Sequence, residues 1–252
     1  MRSLSCLHRA LVLGACCLLA NESALAQQSV NKDLDSCIFK ERATYTVAGA
    51  ATGAAAAVVT DWFKKATAPP EKKNQPDNTA KHAAIGAVAG GVIGLIASYY
   101  TAVDNCYKKN PAWIPESNIK RTKSYNATVA ELGYKPAMGI LVRAKSVSMP
   151  ATIRPGGTLE ITSTFQVMTP NGSETEVTIE RRLFGIAGGE TKQLPFTGKG
   201  TEQRTVEPGE QTSVDHVPVP ADVAVGAMFR VEYLVSVAGK PPSSASATVT
   251  VK

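Results

Sequence analysis

The spacing of glycine in two small-residue segments constrains this chain more than any other feature. The first segment reads Ala43-Thr-Tyr-Thr-Val-Ala-Gly49-Ala-Ala-Thr-Gly53-Ala-Ala-Ala-Ala-Val58-Val59-Thr-Asp61-Trp62-Phe63. The second reads Ala80-Lys81-His82-Ala-Ala-Ile85-Gly86-Ala-Val88-Ala-Gly90-Gly91-Val92-Ile93-Gly94-Leu95-Ile96-Ala-Ser-Tyr99-Tyr100. Gly49 and Gly53, and then Gly86, Gly90 and Gly94, recur at every fourth position. On a helix that period places them on one face, where a second backbone can approach closely. In water each such glycine costs a helix up to ~1 kcal/mol against alanine. In lipid the backbone must satisfy itself, so the helix persists and the smooth face becomes a packing surface. Each segment is also about the ~20 residues a bilayer crossing needs. The expectation is a two-helix hairpin, with helices at about 43–63 and 80–103.

Between the segments lies a connector with Pro69, Pro70 and Pro76 and with Lys64, Lys65, Lys72 and Lys73. Prolines bar continuous helix there. Trp62-Phe63 and Tyr99-Tyr100 fall where an aromatic belt would meet the membrane surface. The rival reading is a soluble Ala/Gly hairpin packed on protein, because the first segment has few large apolar residues.

Charge follows the same division. Residues 27–137 carry 14 Lys+Arg and 9 Asp+Glu, whereas residues 138–252 carry 11 of each. The basic excess therefore belongs to the hairpin region and reads as membrane-surface charge. No interleaving of arginine with aromatics of the kind that binds single strands is present, which argues against a nucleic-acid partner.

Residues 1–26 read as a secretory signal. Arg2 and Arg9 precede an apolar run, and Ala24-Leu25-Ala26 supplies a cleavage site. Lipoprotein processing at Cys16 is the alternative. Signal removal leaves two cysteines, Cys37 and Cys106, flanking the hairpin. An antiparallel hairpin brings its open ends together, so an oxidising compartment favours a Cys37–Cys106 disulfide.

The glycine-spaced segment resembles the glycine-zipper families of the bacterial cell envelope, including outer-membrane lipoproteins of the 17-kDa surface-antigen type. Gly49-x3-Gly53 and Gly86-x3-Gly90-x3-Gly94 carry the resemblance. It implies a paired-helix membrane element in which these five glycines mediate helix packing and homo-oligomerisation.

After a polar stretch at 107–137, read as a linker, the period changes to two. Leu159, Ile161, Phe165 and Val167 alternate with polar residues, as do Val177, Ile179 and Leu183, and then Phe229, Val231, Tyr233, Val235 and Val237. Strict alternation marks strands with one buried face. Pro170-Asn171-Gly172-Ser173 between two runs is a hairpin signal. Strands are expected near 139–147, 158–168, 175–184, 202–206, 211–217, 228–238 and 245–251. Seven short strands in this length fit a sandwich. The pattern resembles the immunoglobulin-like accessory domains of bacterial envelope proteins, through Ile153-Arg-Pro155-Gly156-Gly157-Thr158-Leu159-Glu160-Ile161 and Glu207-Pro208-Gly209-Glu210-Gln211. No Cys…Trp…Cys core of the antibody type is present.

The fold class expected is therefore α + β and multidomain: signal peptide 1–26, helical hairpin 27–106, linker 107–137 and immunoglobulin-like sandwich 138–252. No H-E-x-x-H, C-x-x-C, G-x-S-x-G or phosphate-loop motif occurs, so no catalytic residue, metal ligand or cofactor is assigned. Asp215 and His216 are adjacent on an expected strand and so point to opposite faces. The function expected is that of a non-enzymatic, exported envelope protein, membrane-associated through the hairpin and contacting membrane lipid. Its sandwich faces the periplasm or the cell surface and meets an envelope protein partner. The alternative is an oligomeric pore built from the glycine-zipper helices.

Overall fold

The computed structural model describes residues 32–43 and 78–252, with 78–90 as helical backbone only. The signal sequence, Gly49, Gly53 and nearly all of the first glycine segment lie outside the described residues.

Residues 32–43 form a helix, α1, where none was expected. Leu34, Cys37 and Ile38 recur at i, i+3 and i+4 and give it one apolar stripe. A single long helix, α2, spans Asn78–Lys109. It runs past the expected end. Lys108 and Lys109 occupy its last turn, where cations complement the helix dipole. Pro111 then begins a short 3-10 turn.

The stretch expected to be a linker is part of the domain. Asn118–Lys123 form strand β1 and Tyr125–Leu132 form helix α3. Ser124 caps α3 through its side chain and Gly133 closes it in the left-handed conformation. Then follow β2 (Leu141–Ser148), β3 (Thr152–Ile153), β4 (Thr158–Met168), β5 (Thr175–Ala187), β6 (Glu190–Leu194), β7 (Thr201–Val206), β8 (Gly209–Pro218), β9 (Met228–Ser236) and β10 (Ser243–Val251). All seven expected strands are present, and β1, β3 and β6 are additional.

Two sheets pack face to face. One has the order β1-β8-β4-β2, and the other β3-β10-β9-β5-β6 with β7 also pairing β5. In immunoglobulin lettering, β2-β4-β8 occupy positions A, B and E, and β5-β9-β10 occupy C, F and G. β3 pairs in parallel with β10, while β1, arriving from the N-terminal side, fills the place of strand D beside β8. The chain is thus an immunoglobulin-like sandwich whose D position is filled by a segment preceding strand A.

Helix α2 completes the core. β1 pairs with β8 only from Glu210 to Val214. Beyond that point α2 covers the opening between the sheets: Ile93, Ile96, Ala97 and Tyr100 join Leu159, Leu183, Leu194, Val217 and Phe229 in one buried cluster. The Tyr100 hydroxyl donates to Pro218 O at 2.9 Å, and its ring meets Phe229 edge-on. Gly185 lets the helix in, since a Cβ there would stand 3.2 Å from Ile93 Cδ1 and 3.1 Å from Leu194 Cδ1.

This seating overturns two expectations. Tyr99 and Tyr100 do not face a membrane interface; Tyr100 is 0% exposed in protein. A transmembrane helix over 80–103 is also excluded as drawn, because Ile93 to Val103 is occupied with the sandwich and α1. The helix before Ile93 is roughly 22 Å long at ~1.5 Å per residue, short of a ~30 Å hydrocarbon core. Among the described residues no helix is long and apolar enough to cross a membrane.

Candidate functional site

The candidate site is the clasped helix pair with the face that α2 turns outward. Cys37 and Cys106 are joined by a disulfide, with Cα atoms 6.0 Å apart. It ties α1, which precedes the expected 43–63 helix, to α2. Ile38 packs with Ala102, Val103, Cys106 and Tyr107, and Trp113 and Ile114 close that cluster. Polar contacts ring it. Lys109 Nζ lies 2.5 Å from Glu41 Oε1, and Asn105 Nδ2 donates to Glu41 Oε2 at 3.4 Å. The Lys109 bond holds the Glu41 carboxyl below its ordinary range. Arg42 reaches the sandwich directly: it pairs with Asp222 at 2.6 Å and lies over the Tyr99 ring at 5.6 Å.

Of the glycines singled out in the sequence, Gly94 is exposed, as is its neighbour Gly91, and a Cβ built on either meets nothing within 4 Å among the described residues. Gly86 and Gly90 belong to the same helix, with surroundings outside the described residues. α2 therefore buries Ile93, Ile96 and Tyr100 on one side and turns a small-residue surface, uncovered by the other described residues, outward on the other.

Two polar clusters, neither legible as a unit in the sequence, fix the sandwich that carries this face. The first is buried between the sheets. Arg181 takes an inward position on β5 that the alternation around Ile179 and Leu183 reserves for an apolar residue, and it is 3% exposed. Its guanidinium donates to Asp215 Oδ2 at 2.9 Å, Lys199 O at 3.0 Å and Ser117 Oγ at 3.0 Å. It also pairs with Glu202 at 2.8 Å and lies over the Tyr233 ring. Burial works against the Arg181 charge, but Asp215, Tyr233 and Glu202 outweigh it and hold its pKa above the ordinary value. Burial likewise lifts the Asp215 carboxyl above its usual range, with Arg181 opposing.

The second cluster pins α3 to the outer face of the first sheet. Gln166, 0% exposed, donates through Nε2 to Glu131 Oε1 and Glu210 Oε2, both at 3.1 Å. Lys145 reaches the same oxygens at 2.8 and 2.6 Å. Lys123 lies 2.6 Å from Glu131 Oε2. Hydrogen bonds from Lys123 and Lys145 push the Glu131 carboxyl down to about 2. Burial opposes, but Lys145 and Lys123 also hold Glu210 below its ordinary range. Gly209 makes the close approach this corner needs: at φ 137 its position leaves no room for a Cβ beside Lys123 O.

Little of this is suited to bond-breaking chemistry. Asp215 points inward to Arg181, while the exposed His216 lies 3.7 Å from Glu160 on the outer face. Among the described residues no group of three His, Cys, Asp or Glu side chains is placed to hold a metal ion.

No family model matches the chain, and no curated protein does either. Several solved structures resemble part of the chain. The CARDB domain of a Pyrococcus furiosus protein, solved with di-metal ions, is 13% identical over 44% of this chain and 91% of its own, with a TM-score of 0.30. A conjugative transposon lipoprotein from Bacteroides eggerthii is 14% identical over 44% of this chain and 95% of its own, with a TM-score of 0.25. A β-glucosidase from Listeria innocua, in complex with gluconolactone, is 15% identical over 44% of this chain but only 16% of its own, with a TM-score of 0.29. Likeness this low assigns no function, and the fold assignment above rests on strand order and register.

Proposed function

We propose that the chain is a non-enzymatic, exported cell-envelope protein that assembles with its own copies through the glycine face of α2 and presents its sandwich to a protein partner. The observation that carries this reading is the two-sided character of α2. Ile93, Ile96 and Tyr100 fix one side in the core, while Gly91 and Gly94 leave the other uncovered by any described residue. A packing surface held by a rigid anchor loses little freedom on association. The disulfide fits an oxidising compartment. Lipid contact, on this reading, belongs to the chain before Ile93. The alternative, an oligomeric pore built from the glycine-zipper helices, would use the same face and is distinguished by ion leak from reconstituted vesicles.

The test is sedimentation velocity of the mature chain against Gly94→Leu. Because a Cβ at Gly94 meets no atom of the described residues within 4 Å, the substitution is expected to leave the sandwich and the disulfide clasp intact. The expected result is an assembly that dissociates in the variant. Equal sedimentation of both proteins refutes the reading.

A further inference from the structure

We propose that the turn between β4 and β5 is a self-modification site at which Asn171 converts to aspartate and isoaspartate, a property independent of the assembly function. Asn171-Gly172 is the sole Asn-Gly pair in the chain. It lies in the exposed stretch Pro170–Glu174, whose residues 170–173 the sequence marked as a hairpin turn. Gly172 has φ 70, and a Cβ there would meet nothing within 4 Å, so neither a side chain nor a neighbour obstructs a ring closing on its nitrogen.

The turn also prepares the electrophile. Asn171 Oδ1 accepts two hydrogen bonds from Ser173, one from the backbone N–H at 3.2 Å and one from Oγ at 2.7 Å. Two donors converging on one carbonyl oxygen polarise Cγ and are placed to stabilise the oxyanion formed when a nucleophile adds there. The nucleophile is Gly172 N, whose hydrogen bond to Thr169 O at 3.2 Å breaks as it turns toward Cγ.

The steps balance without any co-reactant but water. Gly172 N–H gives its proton to hydroxide, and the nitrogen adds to Asn171 Cγ. The oxyanion on Oδ1 collapses and expels Nδ2, which takes a proton from water and leaves as ammonia. Water then opens the cyclic imide. Cleavage of the Gly172 N–Cγ bond gives aspartate, and cleavage of the bond to the Asn171 main-chain carbonyl gives isoaspartate. One water is consumed and one ammonia released. Isoaspartate lengthens the main chain of the turn by a methylene and adds a negative charge beside Glu174 and Glu176.

The experiment is incubation of the purified full-length chain at mildly alkaline pH, followed by peptide mapping with separation of the two isomers. The expected result is a gain of mass equal to NH2 exchanged for OH at Asn171, split between two isomers and faster with rising pH. Exposed Asn126, in α3, remains unchanged over the same period. Ser173→Ala, a surface change that leaves the fold intact, removes one oxyanion donor. A single donor is worth ~100-fold or more in a sequestered site, and solvent screening reduces that here to a slowing of roughly 3- to 10-fold. If Asn171 stays intact while Asn126 converts, the proposal is overturned. It is overturned equally if Ser173→Ala converts as fast as the parent chain.

Discussion

Replacing Ile96 with alanine tests whether α2 belongs to the sandwich. Ile96 is 1% exposed and lies among Gly185, Leu194 and the rest of the core cluster, although the fold would place it outside the domain if α2 were part of a separate hairpin. Alanine removes three carbons, about 2.4 kcal/mol at ~0.8 kcal/mol per buried methylene. The cavity left behind raises the cost, and large-to-alanine core substitutions span ~2–5 kcal/mol. Alanine is also the best helix former, so helix propensity does not add to the loss. The expected destabilisation is therefore about 3–4 kcal/mol. For a domain of this size it lowers Tm by roughly 6–16 °C, at ~2–4 °C per kcal/mol. The assay is denaturant unfolding followed by Trp113 fluorescence in a Trp62→Phe background, which reports the helical cluster, and by hydrogen exchange of the β9 amides, which reports the strands. The two signals are expected to move together to lower denaturant. A variant within ~0.5 kcal/mol of the parent, the usual scatter of surface substitutions, refutes the seating of α2. So does a helical signal that shifts alone.

The remaining predictions concern the clasp and the two polar clusters. Reducing the Cys37–Cys106 bond opens a loop with a sequence separation of 69; chain-entropy arguments put the loss near ~4 kcal/mol, so Cys37→Ser is expected to unfold at clearly lower urea than the oxidised parent and to be insensitive to reductant. Arg181→Met strands the buried Asp215 and Glu202 carboxylates and is expected to cost about 3–5 kcal/mol in chemical denaturation, with part of the loss recovered below the Asp215 pKa as that carboxyl takes up a proton. Glu131 has a depressed folded-state pKa of about 2, so its contribution is present above the unfolded value near ~4.3 and is lost as pH falls toward 2. Hydrogen exchange of the α3 amides is accordingly expected to quicken over that window in the parent chain, and Glu131→Gln is expected to show the faster exchange already at neutral pH.

Alternation exposed those strands that are buried on one face and long enough to repeat: β4, β5 and β9 each show three or more inward apolar residues. β1 escaped because Asn-Ile-Lys-Arg-Thr-Lys contains a single apolar side chain, Ile119; its place is set by pairing with β8. β6, Glu-Thr-Lys-Gln-Leu, has only Leu194, and β3 is two residues long. The destination of α2 was illegible for a different reason. Ile93, Ile96 and Tyr100 lie among glycines and alanines that suit lipid and protein alike, and it is Gly185, far along the chain, that makes room for them. Arg181 broke the apolar alternation of β5, a visible irregularity whose meaning depended on Asp215, Glu202 and Ser117 from three other segments. The placing of Cys37 and Cys106 on either side of the two glycine segments was readable, but the helix that Cys37 rides on had to be read from Leu34, Cys37 and Ile38.

The most direct measurement is cysteine cross-linking in intact cells through Gly94→Cys, a position where a Cβ meets no atom of the described residues within 4 Å. If copies pack through the glycine face, mild oxidation is expected to give a dimer band that reductant abolishes, while Ser146→Cys on the outer face of the other sheet gives none. A Gly94→Cys chain that retains its Cys37–Cys106 bond yet stays monomeric under the same oxidation contradicts the proposed assembly.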